Sequence, residues 1–210
     1  MLSRKYLILL SLGSFIVFIF FSFLVHKNLF NSFDFNMTVR FQNHISPRFI
    51  NFFSFLSLIG RVEVMGVLLI IIVVFLKKIK AGFISLFFFG FMHIFEIFGK
   101  VFVKHFPPPH FMLKTVQLIN FPQYYVNPIN SYPSGHSARA LFMTTFIAVL
   151  IINNEKINMM YKFMFLSIAI VYDSVMLMSR IYLGEHWTSD VIGGIFLGFS
   201  MGILADLMYI

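Results

Sequence analysis

His186 precedes Asp190 by four residues in the segment Ser179-Arg180-Ile181-Tyr182-Leu183-Gly184-Glu185-His186-Trp187-Thr188-Ser189-Asp190. If the segment is helical the two side chains share a face, and the carboxylate accepts the Nδ1 proton and leaves Nε2 as a free lone pair. That is an oriented, activated nucleophile. Arg180 adds a guanidinium fork whose geometry matches phosphate, which lysine does not reproduce. A second cluster is Tyr132-Pro133-Ser134-Gly135-His136. Glycine lets a backbone approach a ligand, amides at a helix N-terminus bind anions, and the serine hydroxyl is one more donor. His136 would then sit beside a bound phosphate as general acid for a departing alkoxide. Lys100 offers a further cation, with Glu96 one turn earlier to make its burial cheaper.

The elements that must position these groups are apolar. Of the 210 residues 59% are hydrophobic and 11% charged, with a mean hydropathy of +0.88, which is far from the balance of a soluble domain. Runs near the ~20 residues needed to cross hydrocarbon recur along the whole chain. Spans are expected at residues 6–25, 61–76, 81–103, 135–152, 161–179 and 190–208. The first is too long for a signal-peptide core and no small-residue cleavage site follows it, so it reads as retained. Residues 26–60, with Asp34, Arg40, His44 and Arg48 among Phe and Ile, suit an interfacial segment. Residues 104–133 form a loop marked by Pro107, Pro108, Pro109, Pro122, Pro128 and Pro133, which bars a helix interior.

Charge placement sets the orientation. The net charge of +8 is spread over span ends, with Arg4 and Lys5, then Lys77, Lys78 and Lys80, then Lys156 and Lys162 in short links. That is the pattern of cytoplasmic loops, and it puts both termini inside. No dense basic polar helix is present, so nucleic acid is not an expected partner. The chain has no cysteine, so disulfides and thiolate zinc sites are excluded. In this topology Lys100, His136, Arg180, His186 and Asp190 fall on one side of the membrane. Ionisable groups cost about 2.5–3.5 kcal/mol each at a helix centre, so their gathering at one depth implies a shared polar pocket. The sequence predicts an all-α integral membrane bundle of about six transmembrane helices with its active site at the outer face.

These residues resemble the type 2 phosphatidic acid phosphatase superfamily of membrane lipid phosphatases, which shares its catalytic core with vanadium haloperoxidases. The family blocks are Lys-x6-Arg-Pro, Pro-Ser-Gly-His and Ser-Arg-x5-His-x3-Asp. The second matches from Pro133 to His136, and the third at Ser179, Arg180, His186 and Asp190. The first departs, because Pro107 stands where the family has arginine, followed by the expected Pro108. The resemblance covers roughly 81–210. It implies that His186 attacks phosphorus, Asp190 orients it, and His136 protonates the leaving oxygen and then activates water. It also implies that Lys100, Ser134, Gly135 and Arg180 hold the phosphate, with no metal and no cofactor. On this reading 1–60 is the first span plus interfacial segment and 61–210 the catalytic core. The substrate would be phosphatidic acid, phosphatidylglycerophosphate or a polyprenyl diphosphate, in the cytoplasmic membrane of a bacterium with the pocket facing outward.

Arg139, Lys104 or Lys114 could supply the missing cation, or merely meet lipid headgroups. A lone histidine in an apolar chain is usually structural, which is the reading for His93, His105 and His110. Asp173 reads as a polar packing contact, and Trp187 and Tyr182 as interface anchors. Gly194 and Gly198 mark close helix packing, within the bundle or between subunits. The alternative function is a lipid-binding or lipid-moving protein of the same fold with weakened catalysis, which would be favoured if Arg180 were salt-bridged away from the pocket.

Overall fold

The computed structural model of the protein describes residues 3–116, 129–207 and 209. Among these, eight α-helices run in the order α1 (Arg4–His26), α2 (Asn31–His44), α3 (Ile50–Ile59), α4 (Val62–Leu76), α5 (Ile79–Phe102), α6 (Gly135–Asn153), α7 (Met159–Tyr182) and α8 (Thr188–Asp206). Pro122 and Pro128 of the expected loop, and Met208 at the expected end of the last span, lie outside the described residues.

Five helices, α1, α5, α6, α7 and α8, are each long and apolar enough to cross a membrane. The sixth span differs from expectation. Residues 61–76 make only about 24 Å of helix at 1.5 Å per residue, short of the ~30 Å hydrocarbon layer. α4 is apolar and long enough only together with the preceding segment: Pro47–Ile59 and Val62–Leu76 form a pair bent by 54°, the shape of a broken span or a re-entrant loop. Within residues 26–60 the structure forms two α-helices, α2 and α3. Of the two, α2 is polar on average, whereas α3 passes as an apolar span together with α4.

Local sequence explains the helix starts. Ser3 caps α1 by accepting the Tyr6 amide proton, Ser134 caps α6 by accepting from Ser137, and Asn158 caps α7 by accepting from Met160. Within the bundle α8 is the central element, with 72% of its apolar window buried against 17% for α1, and it packs on α6, α1 and α5. Its contact with α6 depends on small residues. A β-carbon at Gly194, Gly198 or Gly202 would strike the α6 backbone at Ser134, Ala138 or Phe142 respectively. The Gly194 and Gly198 pair thus serves packing inside the bundle, where van der Waals approach rather than hydrophobic expulsion joins helices in lipid. Hydroxyls add interhelical bonds: Ser11 and Ser200 join α1 to α8 (3.1 Å), and Ser85 donates to the Ala205 carbonyl (2.9 Å). Phe75, Phe83 and Phe163 stand on the outer surface with many other exposed apolar side chains, as a lipid-facing wall requires.

Candidate active site

The end of α5, the starts of α6 and α8, the end of α7 and the end of α3 meet at one end of the bundle. His186 lies two residues before α8 begins, so its pairing with Asp190 spans the helix N-terminus rather than a helical face. His186 Nδ1 is 3.4 Å from Asp190 Oδ2, which leaves Nε2 as the ring nitrogen turned away from the carboxylate. The same Oδ2 accepts the Trp187 backbone N–H at 3.0 Å, an N-terminal bond that fixes the carboxylate and closes the turn. Gly184, with φ +69°, makes the left-handed step between α7 and this turn that a β-carbon would resist.

Asp190 has a second and closer imidazole. His105, from the loop after α5, places Nδ1 2.8 Å from Asp190 Oδ1, and its Nε2 lies 3.5 Å from Asp34 Oδ2 on α2. Asp34 in turn accepts the Ser189 amide at 2.8 Å and the Ser189 hydroxyl at 2.7 Å. Burial alone would lower the His105 pKa, but hydrogen bonds to Asp190 and Asp34, with their charges, outweigh it and raise it to about 9. The ring is therefore cationic at neutral pH. From sequence His105 reads as structural and Asp34 as part of an interfacial segment. No spacing rule relates either to Asp190, although a lone carboxylate among the phenylalanines of α2 is itself a signal.

Arg180 is fully buried. Its guanidinium donates to Ser57 Oγ (2.7 Å), Ser179 Oγ (2.9 Å) and Glu185 Oε2 (2.5 Å). The other Glu185 oxygen accepts the Thr115 hydroxyl at 2.6 Å. His136, one residue into α6, faces Ser57 through Nε2 and the Ser57 carbonyl, 3.2 Å apart. Ser57 at the end of α3 thus touches both His136 and Arg180, across separations of 79 and 123 residues that no local pattern signals. Gly60 lies where a β-carbon would come 2.7 Å from the His136 ring, so the bend between α3 and α4 is shaped around this histidine. Arg180, Arg139, His186 and Lys100 all lie within electrostatic reach of the His136 ring.

Ser134 is buried as the cap of α6, accepting the Ser137 hydroxyl at 3.0 Å, while its own amide donates to the Asp190 carbonyl at 2.9 Å. Gly135 leaves the space that the Glu96 carboxylate enters. Glu96 pairs with Lys100 at 3.3 Å, as the spacing implies, and also with Arg139 at 3.0 Å. Arg139 Nε donates to the Gly60 carbonyl at 2.9 Å, so this cation clamps the bend between α3 and α4. Lys104 is exposed, with its backbone amide on His26 Nδ1 (3.3 Å). Lys114 lies over the Tyr182 ring, 5.0 Å from its centroid. Pro107, at the family's arginine position, is exposed and Pro108 buried.

Two further expectations meet the structure. Tyr182 is not an interface anchor: it is buried, with its ring 5.3 Å from that of Phe53, because the end of α7 turns inward to carry Arg180. Asp173 accepts the Thr144 hydroxyl at 2.8 Å, a packing contact between α7 and α6.

These features define a multi-pass, all-helical membrane protein with histidine, arginine and lysine side chains gathered around carboxylates at one end of the bundle. The profile of the PAP2 superfamily matches residues 77–209, and the chain belongs to that family. Over 74 residues it is 38% identical to phosphatidylglycerophosphatase B of Bacillus subtilis (strain 168), a match covering 35% of this chain and about a third (34%) of that relative's length. The fold is similar to that of the transmembrane PAP2-type phosphatidylglycerolphosphate phosphatase from Bacillus subtilis, with a TM-score of 0.74 at 24% identity over 93% of both chains. It is also similar to that of Aquifex aeolicus LpxE, with a TM-score of 0.60 at 22% identity over 82% of this chain and 94% of that one.

Proposed function

We propose that this chain is a membrane lipid phosphatase working through a phosphohistidine. The observation that carries the reading is His186 held by Nδ1 against Asp190, with Arg180 six residues before it and His136 in the same cluster. Nε2 of His186 attacks phosphorus, the bond from phosphorus to the lipid oxygen breaks, and His136, protonated once the anionic phosphate is bound beside it, gives its proton to that oxygen. A water molecule, deprotonated by His136, then attacks the phosphohistidine; inorganic phosphate leaves and His186 is regenerated. Lys100, Arg180, the Ser134 hydroxyl and the amide at Gly135 stabilise the charge that develops on the phosphoryl oxygens. The names of the relatives favour a phosphatidylglycerophosphate-type monoester, with phosphatidic acid and polyprenyl diphosphates as the other candidates. The site opens on the outer face of a bacterial cytoplasmic membrane, as the basic links at the other end of the bundle imply.

The test is phosphate release by detergent-purified protein from each of the three lipids in EDTA, beside His186→Ala. Release by the parent and none by a folded His186→Ala is the expected result; equal release by both would overturn the nucleophile assignment.

One observation favours the second reading, a lipid-binding protein without turnover. The Arg180 fork is already engaged by Glu185, and Pro107 supplies no charge where the family has arginine. Absence of phosphate release from all three lipids, with retained binding of one of them, would select it.

A further inference from the structure

The end of the bundle remote from the histidines holds a carboxylate that the chemistry above does not use. Asp206 closes α8, sixteen residues after Asp190, or about 24 Å along the helix axis, so it lies near the opposite face of the membrane. Its side chain is completely buried, and among the described residues neither oxygen has a hydrogen-bond partner. A buried acceptor left unmade costs free energy, and a carboxylate at membrane depth persists only where something offsets that cost.

Asp206 lines a cavity of about 530 Å³, within the size range of small-molecule sites. Ile147, Leu150 and Ile151 of α6 form much of its apolar wall, while Lys78 and Tyr209 stand at its polar side. Lys78 does not satisfy Asp206. Its ammonium donates to the Tyr209 carbonyl at 3.0 Å and lies over the Tyr209 ring, 5.6 Å from the centroid. The cavity therefore offers a carboxyl group with no hydrogen-bond partner among the described residues, a cation and an apolar flank, all on the side of the basic links.

We infer that this cavity is a second lipid site, distinct from the phosphatase centre, that takes a phospholipid carrying a primary ammonium in its headgroup. The ammonium donates to Asp206, the headgroup phosphate meets Lys78, and the first methylenes of a chain lie on the α6 isoleucines. A quaternary ammonium carries no N–H and cannot satisfy the carboxylate oxygens, so the site discriminates between the two headgroups by hydrogen bonding. A charge-assisted bond of this kind corresponds to roughly tenfold or more in affinity.

The experiment is a native mass spectrometric titration of the full chain with phosphatidylethanolamine and with phosphatidylcholine of the same acyl chains. Parent protein is expected to bind the ethanolamine lipid about tenfold more tightly. Asp206→Asn should remove that preference with phosphate release unchanged, and His186→Ala should keep it. Leu150→Trp, which fills the cavity without touching the carboxylate, should abolish binding of both, and water-soluble phosphoethanolamine should not compete because it has no chain for the apolar wall. Equal binding of the two lipids by the parent overturns the inference, without need of any variant. So does a preference that survives in Asp206→Asn, or one that disappears in His186→Ala and so belongs to the other end of the bundle.

Discussion

His105 Nδ1 stands 2.8 Å from Asp190, closer than the 3.4 Å between Asp190 and His186. The carboxylate that orients the candidate nucleophile is thus anchored first by a ring from the loop after α5. His105→Ala would leave Asp34 and Asp190 as buried charges without their shared cation. Breaking a buried pair in this way costs about 3–5 kcal/mol. Thermal unfolding in detergent should show the loss; unfolding at the parent's temperature would mean that the ring carries no charge.

The same ring gives the fold a pH dependence. An unperturbed histidine titrates at 6.5, while His105 in the folded chain is raised to about 9. The folded state therefore binds this proton more tightly than the unfolded state does. The stability it contributes is complete below pH 6.5 and disappears as pH rises through about 9. His105→Gln should flatten the fall in unfolding temperature across that window, and an unchanged slope would assign the dependence to another group.

Glu185 takes one nitrogen of the Arg180 guanidinium through a single oxygen, so it competes with a phosphate oxygen for that cation. Glu185→Gln should tighten inhibition by vanadate, a phosphate mimic, by roughly tenfold. Weaker inhibition in the variant would show that Glu185 positions Arg180 for phosphate instead of competing with it.

Arg139 and Lys104, two of the three candidate substitutes for the arginine replaced by Pro107, occupy different settings. Arg139 shares Glu96 with Lys100, so Arg139→Met hands the whole Glu96 charge to Lys100 and should weaken vanadate inhibition. Lys104 is exposed beyond the end of α5, and Lys104→Met should leave inhibition as it is. The reverse pattern in the two inhibition curves would make Lys104 the phosphate ligand.

Helix approach can be tested apart from chemistry. Gly198→Leu forces α8 away from the α6 backbone at Ala138 and should destabilise by at least about 1–3 kcal/mol. Gly90→Leu, at a position with nothing within 4 Å of an added β-carbon, should be neutral. Equal unfolding temperatures for the two variants would refute the packing role of the glycine stripe.

Much of this protein is written locally in its sequence. Hydropathy over ~20 residues locates five of the spans because the bilayer demands that length and polarity of each helix by itself. The four-residue interval from His186 to Asp190 and the Pro-Ser-Gly-His block are likewise local, and they alone point to the family to which the chain belongs. Local pattern misled where an element is shared. The short run at 61–76 reads as a whole span, but α4 is long enough only in a pair with the segment before the bend at Gly60.

What only the tertiary structure decided is the company these residues keep. Asp34 meets Ser189 across 155 positions, Arg180 meets Ser57 across 123, and His105 meets Asp190 across 85. Each of these contacts depends on how closely and at what angle helices pack, which the α6–α8 glycine stripe and the bend after α3 set together. A one-dimensional pattern fixes which face a side chain occupies on its own helix; which partner lies opposite is a property of the assembled bundle, where burial makes an unpaired charge costly.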